Sequence, residues 1–425
     1  MPALELFLFY LYAAASCLSL AAINTAQASL TLFFLYRLVR GRWKPMPPEW
    51  ILVAYFAWNV VSALFSPMRA AALNGVLNHW SWSVLFVASA LPPYVRRHVD
   101  RFTVFLAVSA ALTVPMSLCT FFLGTDFHMD ALFKRVPVGT IPAYGYFSHH
   151  LTYAGAMAAV ALFVGGRALY GTGRKAGWWA ASASALLGVV LSVSRAYVIA
   201  LGPAAIVLLW RKGRRWILWA LIAAAVVAPL GIAFGPATVR SRVTALWDVK
   251  DPSTAERIYL WASGFQMWKD RPVLGWGPGI YKDTAGPYKA PYAGKVRYPD
   301  HEGFRTTGHC HNDYLMVAIQ SGFVGLALFL AFCAAAFLQM SRQSDPALRY
   351  GAMAAFAAFL VGGLFEFNAG DAEVATMVFF LVGLALRDGA QEPTSPRINE
   401  STIQRVKEPT GDDQSGKPST PNDPA

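Results

Sequence analysis

The chain has 425 residues, of which 56% are hydrophobic and only 14% are charged, so its composition excludes a single soluble domain and indicates a polytopic membrane protein. The formal net charge of +12 could point to nucleic acid, but the Lys and Arg residues form short clusters between apolar runs, as in membrane proteins. We therefore predict no nucleic-acid partner. The four cysteines have no metal-like spacing and imply no disulfide framework.

Apolar runs occupy most of the chain. A helix needs roughly 20 apolar residues to cross the ~30 Å hydrocarbon core of a bilayer. Twelve runs approach this length, at residues 4–22, 25–41, 49–66, 77–95, 102–123, 150–169, 177–194, 196–210, 216–234, 312–340, 348–367 and 372–387. We predict an all-α polytopic membrane protein with about twelve transmembrane helices, the first nine in residues 1–234 and the last three in residues 312–387. The first run is predicted to be a retained helix, because a second run follows it almost at once.

The charges between the runs predict an orientation. Basic clusters follow runs two, four, six and eight, at residues 37–44, 96–101, 167–175 and 211–215. The short loops on the other side, at residues 23–25, after residue 65 and at 367–372, are nearly free of positive charge. By the positive-inside rule, both termini and the basic loops are cytoplasmic. The opposite loops then face outward.

Two polar segments interrupt the apolar pattern. Residues 235–311 are predicted to form a large outward loop, in which apolar residues at 258, 261, 265 and 268 recur at helical spacing and indicate an amphipathic helix at the membrane surface. Residues 388–425 are rich in Pro, Ser, Thr and charged residues, which is typical of a disordered tail. We expect that tail to be cytoplasmic.

Arg195 lies where two apolar runs meet at Ser192-Val193-Ser194-Arg195, on the side predicted to face outward. A guanidinium there runs against the charge rule and is costly below the lipid headgroups, so it is a functional hypothesis. Its planar fork could hold a phosphate in bidentate fashion. Alternatively, Arg195 snorkels to the interface or pairs with Glu366 or Asp371.

Arg257 falls near the start of the predicted amphipathic helix. By itself it would be a surface charge, either solvated or paired with a glutamate. Placed opposite Arg195, over an anion at the membrane surface, it would become the second half of a clamp.

His311 heads the run at 312–340 and is the candidate general base, since a neutral imidazole can take a proton from a hydroxyl at ambient pH. His309 is two residues away, so on a helix the two side chains would point in different directions and only one could serve. Asn312 and Asp313 could cap the following helix or orient the imidazole. Alternatively, the two histidines form a capping or metal-linked pair.

Other segments give weaker signals. The run 270–279 has glycines at 275, 277 and 279, whose bare amides could approach a phosphate or a sugar, although a plain structural turn explains them equally well. Acidic groups at 126–130, and at Glu366, Asp371 and Glu373, could hold a cation, but neither has an established ligand spacing. We expect the second group to pair with arginines instead. Arg135, in the outward segment 124–150, is a further candidate supporting residue.

Four motifs together resemble the O-antigen ligase and O-antigen polymerase superfamily of bacterial membrane glycosyltransferases, with the ligase branch the closer match. They are Ser194-Arg195, Glu256-Arg257 with Trp261, the turn Pro272–Gly279, and His311-Asn312-Asp313-Tyr314-Leu315 with Ser321–Leu326. The resemblance covers roughly residues 50–387. It implies about twelve helices in the inner membrane with a large periplasmic loop.

The resemblance also implies an activity. The family transfers a glycan from undecaprenyl diphosphate to a hydroxyl, which in the ligase branch belongs to a sugar of lipid A-core. Arg195 and Arg257 would hold the diphosphate and His311 would deprotonate the acceptor, with inversion and with neither a metal nor another cofactor. His309 departs from a clean match, so the assignment of the base between His309 and His311 stays open.

Several alternatives share some of these features. An O-antigen polymerase or a protein O-oligosaccharyltransferase of the same superfamily would use the same chemistry on another acceptor. A flippase for lipid-linked glycans would line a translocation path with the arginines, and an assembly scaffold would use them only as ion pairs.

Overall fold

The computed structural model describes residues 2–126, 134–135, 142–173, 175–234, 251–295, 304 and 307–388. The described chain is helical apart from a short antiparallel ribbon between Thr125–Asp126 (β1) and Lys134–Arg135 (β2). The predicted tail beyond Asp388 lies outside the described residues, as do 235–250 and 296–303 of the predicted outward loop.

The helices follow the apolar runs closely, and each predicted run overlaps one of them. In chain order they are α1 (Pro2–Ala15), α2 (Leu20–Val39), α3 (Pro47–Leu64), α4 (Arg69–Val76), α5 (Trp80–Ser89), α6 (Pro93–Arg96), α7 (Val99–Leu123), α8 (His150–Tyr170), α9 (Lys175–Leu191), α10 (Arg195–Leu209), α11 (Arg214–Phe234), α12 (Pro252–Asp270), α13 (Tyr281–Thr284), α14 (Gly286–Ala293), α15 (Asp313–Met340), α16 (Pro346–Gly362) and α17 (Ala372–Leu386). Short 3-10 turns occupy Leu77–His79 and Trp210–Lys212.

Three helices within the described residues, α7, α8 and α15, are long and apolar enough to cross a membrane. The helices α1, α9, α16 and α17 are apolar but shorter. Twelve spans therefore remain a prediction. The fourth run, predicted at 77–95, differs most from the structure. Its helix α5 has only 10 residues, because Pro92 and Pro93 follow and prevent its continuation. On its N-terminal side, the 3-10 turn Leu77–His79 joins α5 to α4.

The core lies around α8, which is buried along almost its whole length and packs against α9, α10, α16 and α17. Small residues let α8 and α16 approach closely. A Cβ at Gly166 would lie 2.4 Å from the carbonyl oxygen of Ala347, and one at Gly351 would lie 2.7 Å from that of Phe163. This is the close backbone packing that membrane helices favour.

Helix α15 is broken at Gly322, where φ is 66°. The Ile319 and Gln320 carbonyl groups accept hydrogen bonds from the amides of Trp276 (2.8 Å) and Gly277 (2.9 Å). Side chains of α3 complete the break, since Ser62 donates to the Gln320 carbonyl (2.7 Å) and Trp58 to that of Ser321 (2.7 Å). A break inside an apolar helix is tolerated when its polar groups are bonded in this way.

The glycine turn at 272–279 therefore has a structural role. Its Trp276 and Gly277 amides are committed to α15. Gly275 adopts φ 73°, and a Cβ there would lie 2.5 Å from the backbone of Gln320. Of the two alternatives for this motif, the contacts support the structural turn rather than a phosphate or sugar cradle.

The predicted amphipathic segment at 255–268 lies within helix α12. Leu260 and Met267 are buried and lie in a cluster with Met316 and Ile319 of α15. Ile258 and Phe265, two residues of the apolar stripe predicted to face the membrane surface, are 42% and 46% exposed. Helix α12 thus packs on α15 through Leu260 and Met267, which lie outside the predicted stripe, and its position at the membrane surface stays a prediction.

Candidate active site

A cavity of about 530 Å³ brings together the three residues singled out from the sequence, Arg195, Arg257 and His311. It lies at the N-terminal ends of α8, α10 and α12, beside the segment that precedes α15. The rest of its lining is His149, His150, Leu151, Val193, Ser194, Ala196, Ile199, Ser253, Thr254, Glu256, Ile258, Trp261 and Phe365. Helix N-termini expose unpaired amides and the positive end of the helix dipole, so the position of the cavity favours an anion.

Backbone strain is concentrated at this cavity. Val193 (φ 53°) and His311 (φ 51°) are the non-glycine residues of the described chain with positive φ, and both line it. Such conformations are costly for side-chain-bearing residues, above all for β-branched valine, and they cluster at functional sites. Val193 leads directly into Ser194-Arg195, so the strained backbone sets the start of α10.

Glu366 links His311 to Arg257. This glutamate is only 4% exposed, and its Oε2 lies 2.7 Å from Nδ1 of His311 while its Oε1 pairs with the Arg257 guanidinium. Because an ionised carboxylate only accepts, the bond assigns the proton of a neutral His311 imidazole to Nδ1 and leaves Nε2 as the acceptor. Burial alone would raise the pKa of Glu366, but the hydrogen bond from His311 and the charge of Arg257 hold this pKa below its ordinary value.

Arg257 is fixed on three sides. Besides Glu366, its Nε donates to the Phe365 carbonyl (3.1 Å) and its guanidinium donates to Oγ of Ser253 (2.6 Å). The side chain is 18% exposed. Of the two alternatives considered for it, the structure therefore shows pairing with a glutamate, here Glu366, and not a solvated surface charge.

Arg195 pairs with Asp251 at 2.8 Å, rather than with Glu366 or Asp371 as the alternative reading of the sequence expected. Asp251 also caps α12, accepting from the Thr254 amide at 3.1 Å, so the ion pair joins the starts of α10 and α12. Burial alone would raise the pKa of Asp251. The hydrogen bond from Arg195, the charge of Arg195 and the hydrogen bonds from Thr254 outweigh burial and lower this pKa below its ordinary value. The neighbouring Ser194 hydroxyl is buried and has no hydrogen-bond partner among the described residues.

Asn312, Asp313 and Asp371 serve the fold. Asn312 caps α15, accepting from the Leu315 amide (2.8 Å). Asp313 accepts from the Ala369 amide (2.8 Å), and Asp371 caps α17 while accepting from the Thr152 hydroxyl (2.5 Å). The carboxylate that contacts the His311 imidazole is that of Glu366. The contacts therefore do not support orientation of this imidazole by Asn312 or Asp313.

The structure separates the two histidines. His311 lines the cavity, whereas His309 lies behind it, with its ring 4.4 Å from that of His311 and 5.7 Å from that of Phe367. Nδ1 of His309 accepts from the His311 amide at 3.4 Å. Burial, and then the neighbouring His311, lower the pKa of His309 to about 4. His309 thus supports the segment that carries His311.

Sequence reasoning assigned no role to several residues of the cavity. His149 caps α8, accepting from the Leu151 amide at 3.3 Å, and His150 follows it. The pair of histidines at the start of an apolar run was the signal that could have identified them. Burial raises the pKa of Glu256, which also lines the cavity.

The structure describes only some of the residues that could form a metal site. Within the described ranges, no group of three or more His, Cys, Asp or Glu side chains is arranged to hold a metal ion. Of the acidic group at 126–130, the backbone of Asp126 pairs with Lys134, while 127–130 lie outside the described residues. For Arg135 the structure gives only the backbone, which pairs with Thr125.

The fold and this cavity define a helical membrane protein with arginine, histidine and carboxylate groups gathered at several helix starts. Residues 180–330, which include Arg195, Arg257 and His311, match the family model described as O-antigen ligase. This match confirms the resemblance to the O-antigen ligase superfamily and indicates a glycosyltransferase of the ligase and polymerase type. No protein of curated function matches the chain significantly.

Proposed function

We propose that the chain transfers O-antigen polysaccharide from undecaprenyl diphosphate to a sugar hydroxyl of lipid A-core, in lipopolysaccharide biosynthesis at the periplasmic face of the bacterial inner membrane. The observation that carries the proposal is the single cavity that joins Arg195, Arg257 and His311 within the matched residues 180–330.

The diphosphate of the donor lipid would lie against Arg195 and Arg257. Guanidinium groups keep their charge at any physiological pH and pair with phosphate oxygens in bidentate fashion. The carboxylates of Asp251 and Glu366 anchor these groups and offset their charges. The converging helix N-termini and the Ser194 hydroxyl supply further donors, so the cavity favours a multiply charged oxyanion.

His311 would act as the general base. Its Nδ1 is held by Glu366 and its Nε2 is the acceptor, which is the tautomer that a base needs. As Nε2 takes the proton of the acceptor hydroxyl, the oxygen bonds to the anomeric carbon. The bond from that carbon to the phosphate oxygen breaks, and its electron pair leaves with the lipid diphosphate.

We propose inversion at the anomeric carbon, as the family resemblance implies, since an in-line attack brings the alcohol in on the face of the sugar opposite the leaving diphosphate. Negative charge grows on the leaving diphosphate as the bond breaks. Fixed guanidinium groups therefore stabilise the transition state more than the ground state. The energy comes from the activated diphosphate ester, and the step as written uses no cofactor.

The charge pattern supports an outward position for the cavity. His149, the start of α10 and the start of α12 all lie in segments that the positive-inside rule assigns to the outer side. We accordingly propose twelve spans, cytoplasmic termini and a periplasmic active site.

The test is an in vitro transfer assay with purified protein, lipid-linked O-antigen and two acceptors, lipid A-core and a second lipid-linked repeat unit. Product on lipid A-core alone is the expected result. Product only on the second repeat unit would instead indicate a polymerase. Transport of the lipid-linked glycan without any product would contradict the proposal and indicate a flippase.

A further inference from the structure

A second cavity, of about 400 Å³, lies on the other side of the segment that carries His311. It is formed by the start of α2, the 3-10 turn that leads into α5, helix α13, the first half of α15 and the loop before α17. We call it the aromatic–amide cavity, after Asn24, Asn78, Trp80, Trp82 and Tyr281 of its lining.

The chemistry of this cavity differs from that of the arginine-lined one. Among the described residues that line it there is no Asp, Glu, Lys or Arg. Asn24 and Asn78 are exposed, and Trp80 is 42% exposed, so amide groups and an indole face remain available at the rim. A neutral ligand suits this lining better than a diphosphate or a metal ion.

The floor of the cavity is fixed. The Trp82 indole is 1% exposed, donates to the Ala369 carbonyl at 2.7 Å and stacks on Tyr55 with 5.3 Å between ring centroids. Phe379 also stacks on Trp82, with 4.9 Å between ring centroids, so the aromatic face open to a ligand is that of Trp80. An exposed indole above a rigid floor, with a few amide groups at the rim, can hold a ligand that has both apolar C–H faces and hydroxyl groups. Sugars combine these two features.

One thin wall separates the two cavities. Gly308 and Phe367 line the aromatic–amide cavity, whereas His311 and Phe365 line the arginine cavity. Glu366 is buried between Phe365 and Phe367. Ligands in the two cavities would therefore approach the same catalytic wall from its two sides.

The surrounding loops agree with this placement. Asn24 and the loop at 367–370 belong to the short connections that the charge pattern assigns to the outer side, and residues 77–79 begin the fourth run at its outer end. A glycan delivered at the outer face would meet the cavity there.

We propose that the aromatic–amide cavity binds a sugar residue of one of the two substrates, an inference that rests on the proposed transfer. The sugar comes either from the core acceptor or from the O-antigen donor. Asn78 and Trp80 contact it at the rim, and the Trp82 floor supports it.

The experiment measures binding of two lipid-free probes to the full-length protein in detergent by saturation-transfer NMR. One probe is the core oligosaccharide without lipid A, and the other is the O-antigen repeat oligosaccharide without the lipid diphosphate. Neither probe can take part in a donor reaction, so binding is scored independently of transfer.

Asn78→Ala and Trp80→Ala should each weaken binding of one probe by about five- to tenfold, the effect of losing one hydrogen bond or one aromatic contact. The probe affected identifies the source of the sugar. Trp80→Phe should restore most of the affinity, since it keeps an aromatic face.

Matched controls lie nearby and elsewhere in the chain. Asn74 is exposed on α4 one turn before Asn78, and Trp216 is 48% exposed on α11. Asn74→Ala and Trp216→Ala should bind both probes as the wild type does, and thermal unfolding should show that every variant is folded.

Two results would overturn the assignment: wild-type protein that binds neither probe, or folded Asn78→Ala and Trp80→Ala variants that bind both probes unchanged. The transfer assay separates this failure from that of the proposed function. Probe binding that depends on Asn78 and Trp80 without any transfer would contradict the proposed activity and support the cavity. Transfer activity together with probe binding that neither substitution changes would support the proposed activity and contradict the assignment of the cavity.

Discussion

Two ion-paired arginines on the predicted cytoplasmic side and the two arginines of the candidate site lie at opposite ends of their helices. On the cytoplasmic side, Arg37 lies in the last turn of α2 beside Glu5, and Arg167 lies in the last turn of α8, 2.7 Å from Asp345. On the outer side, Arg195 is the first residue of α10 and Arg257 lies in the second turn of α12.

This difference is electrostatic. A cation is stabilised at a helix C-terminus by the helix dipole and destabilised at an N-terminus. Arg37 and Arg167 therefore agree with the dipoles of their helices, while Arg195, the first residue of α10, conflicts with the dipole of its own helix. Burial does not separate the two groups, since the side chains of Arg167 and Arg257 are 9% and 18% exposed. Local conflicts of this kind are expected at functional sites, and an anion bound between the helix starts would relieve this one.

Replacing the two histidines should give the largest contrast. His311→Gln removes the proposed base and should lower the rate of transfer by about 10²- to 10⁴-fold. His309→Gln should retain most activity, because His309 lies behind the cavity. Single-turnover assays with labelled lipid-linked glycan measure both. An inactive His309 variant beside an active His311 variant would reverse the assignment.

Conservative arginine variants come next. Arg195→Lys and Arg257→Lys keep the charge but lose the planar fork, and each should lower kcat/KM for the donor by about 10- to 100-fold. The matched control is Arg37→Lys, in the cytoplasmic group. Steady-state kinetics at varied donor concentration provide the measurement. Equal losses in all three variants would remove the distinction between the two sides.

Glu366→Gln should have an intermediate effect. Losing the carboxylate that orients His311 should lower kcat by roughly tenfold, the lower end of the cost of removing an orienting partner.

The pKa of Glu366 is lowered on folding, so its ionised form stabilises the protein above its ordinary pKa of 4.5, and this stabilisation is lost as the pH falls through the lowered value. The wild type should therefore have a higher melting temperature than Glu366→Gln at neutral pH. This difference in melting temperature should shrink below pH 4.5. Thermal unfolding across this range measures it, and a constant difference would argue against an ionised Glu366.

The smallest effect on activity is expected from Arg167→Met, in the cytoplasmic group. The substitution keeps most of the packing and leaves Asp345 without this partner, but the Asp345 side chain is 37% exposed and stays hydrated, so stability changes only modestly. The melting temperature should shift by a few degrees while the donor KM stays at the wild-type value. A large rise in that KM would link the cytoplasmic arginines to donor binding.

Much of this arrangement follows from the sequence because it depends on local patterns. The apolar runs gave the positions of the main helices, and the charge anomaly at Arg195 and the polar head of the run at His311 marked two sides of the cavity. The helical pattern placed Arg257 on a helix, but only the family resemblance assigned it to the same site as Arg195.

Other features depend on contacts between distant segments, which no local pattern encodes. Glu366 reaches His311 across 55 positions, and Asp251 reaches Arg195 across 56. The break in α15 was hidden because Gly322 alone, inside an apolar run, is also compatible with a continuous helix. It becomes a break only because the turn at 272–279 packs against it.

The most direct test is an experimental structure of the protein in a lipid nanodisc with undecaprenyl diphosphate bound. We expect diphosphate oxygens within about 3.2 Å of both guanidinium groups, those of Arg195 and Arg257, with the His311 imidazole facing the same cavity. A diphosphate bound elsewhere, with these two arginines still paired only to Asp251 and Glu366, would contradict the account.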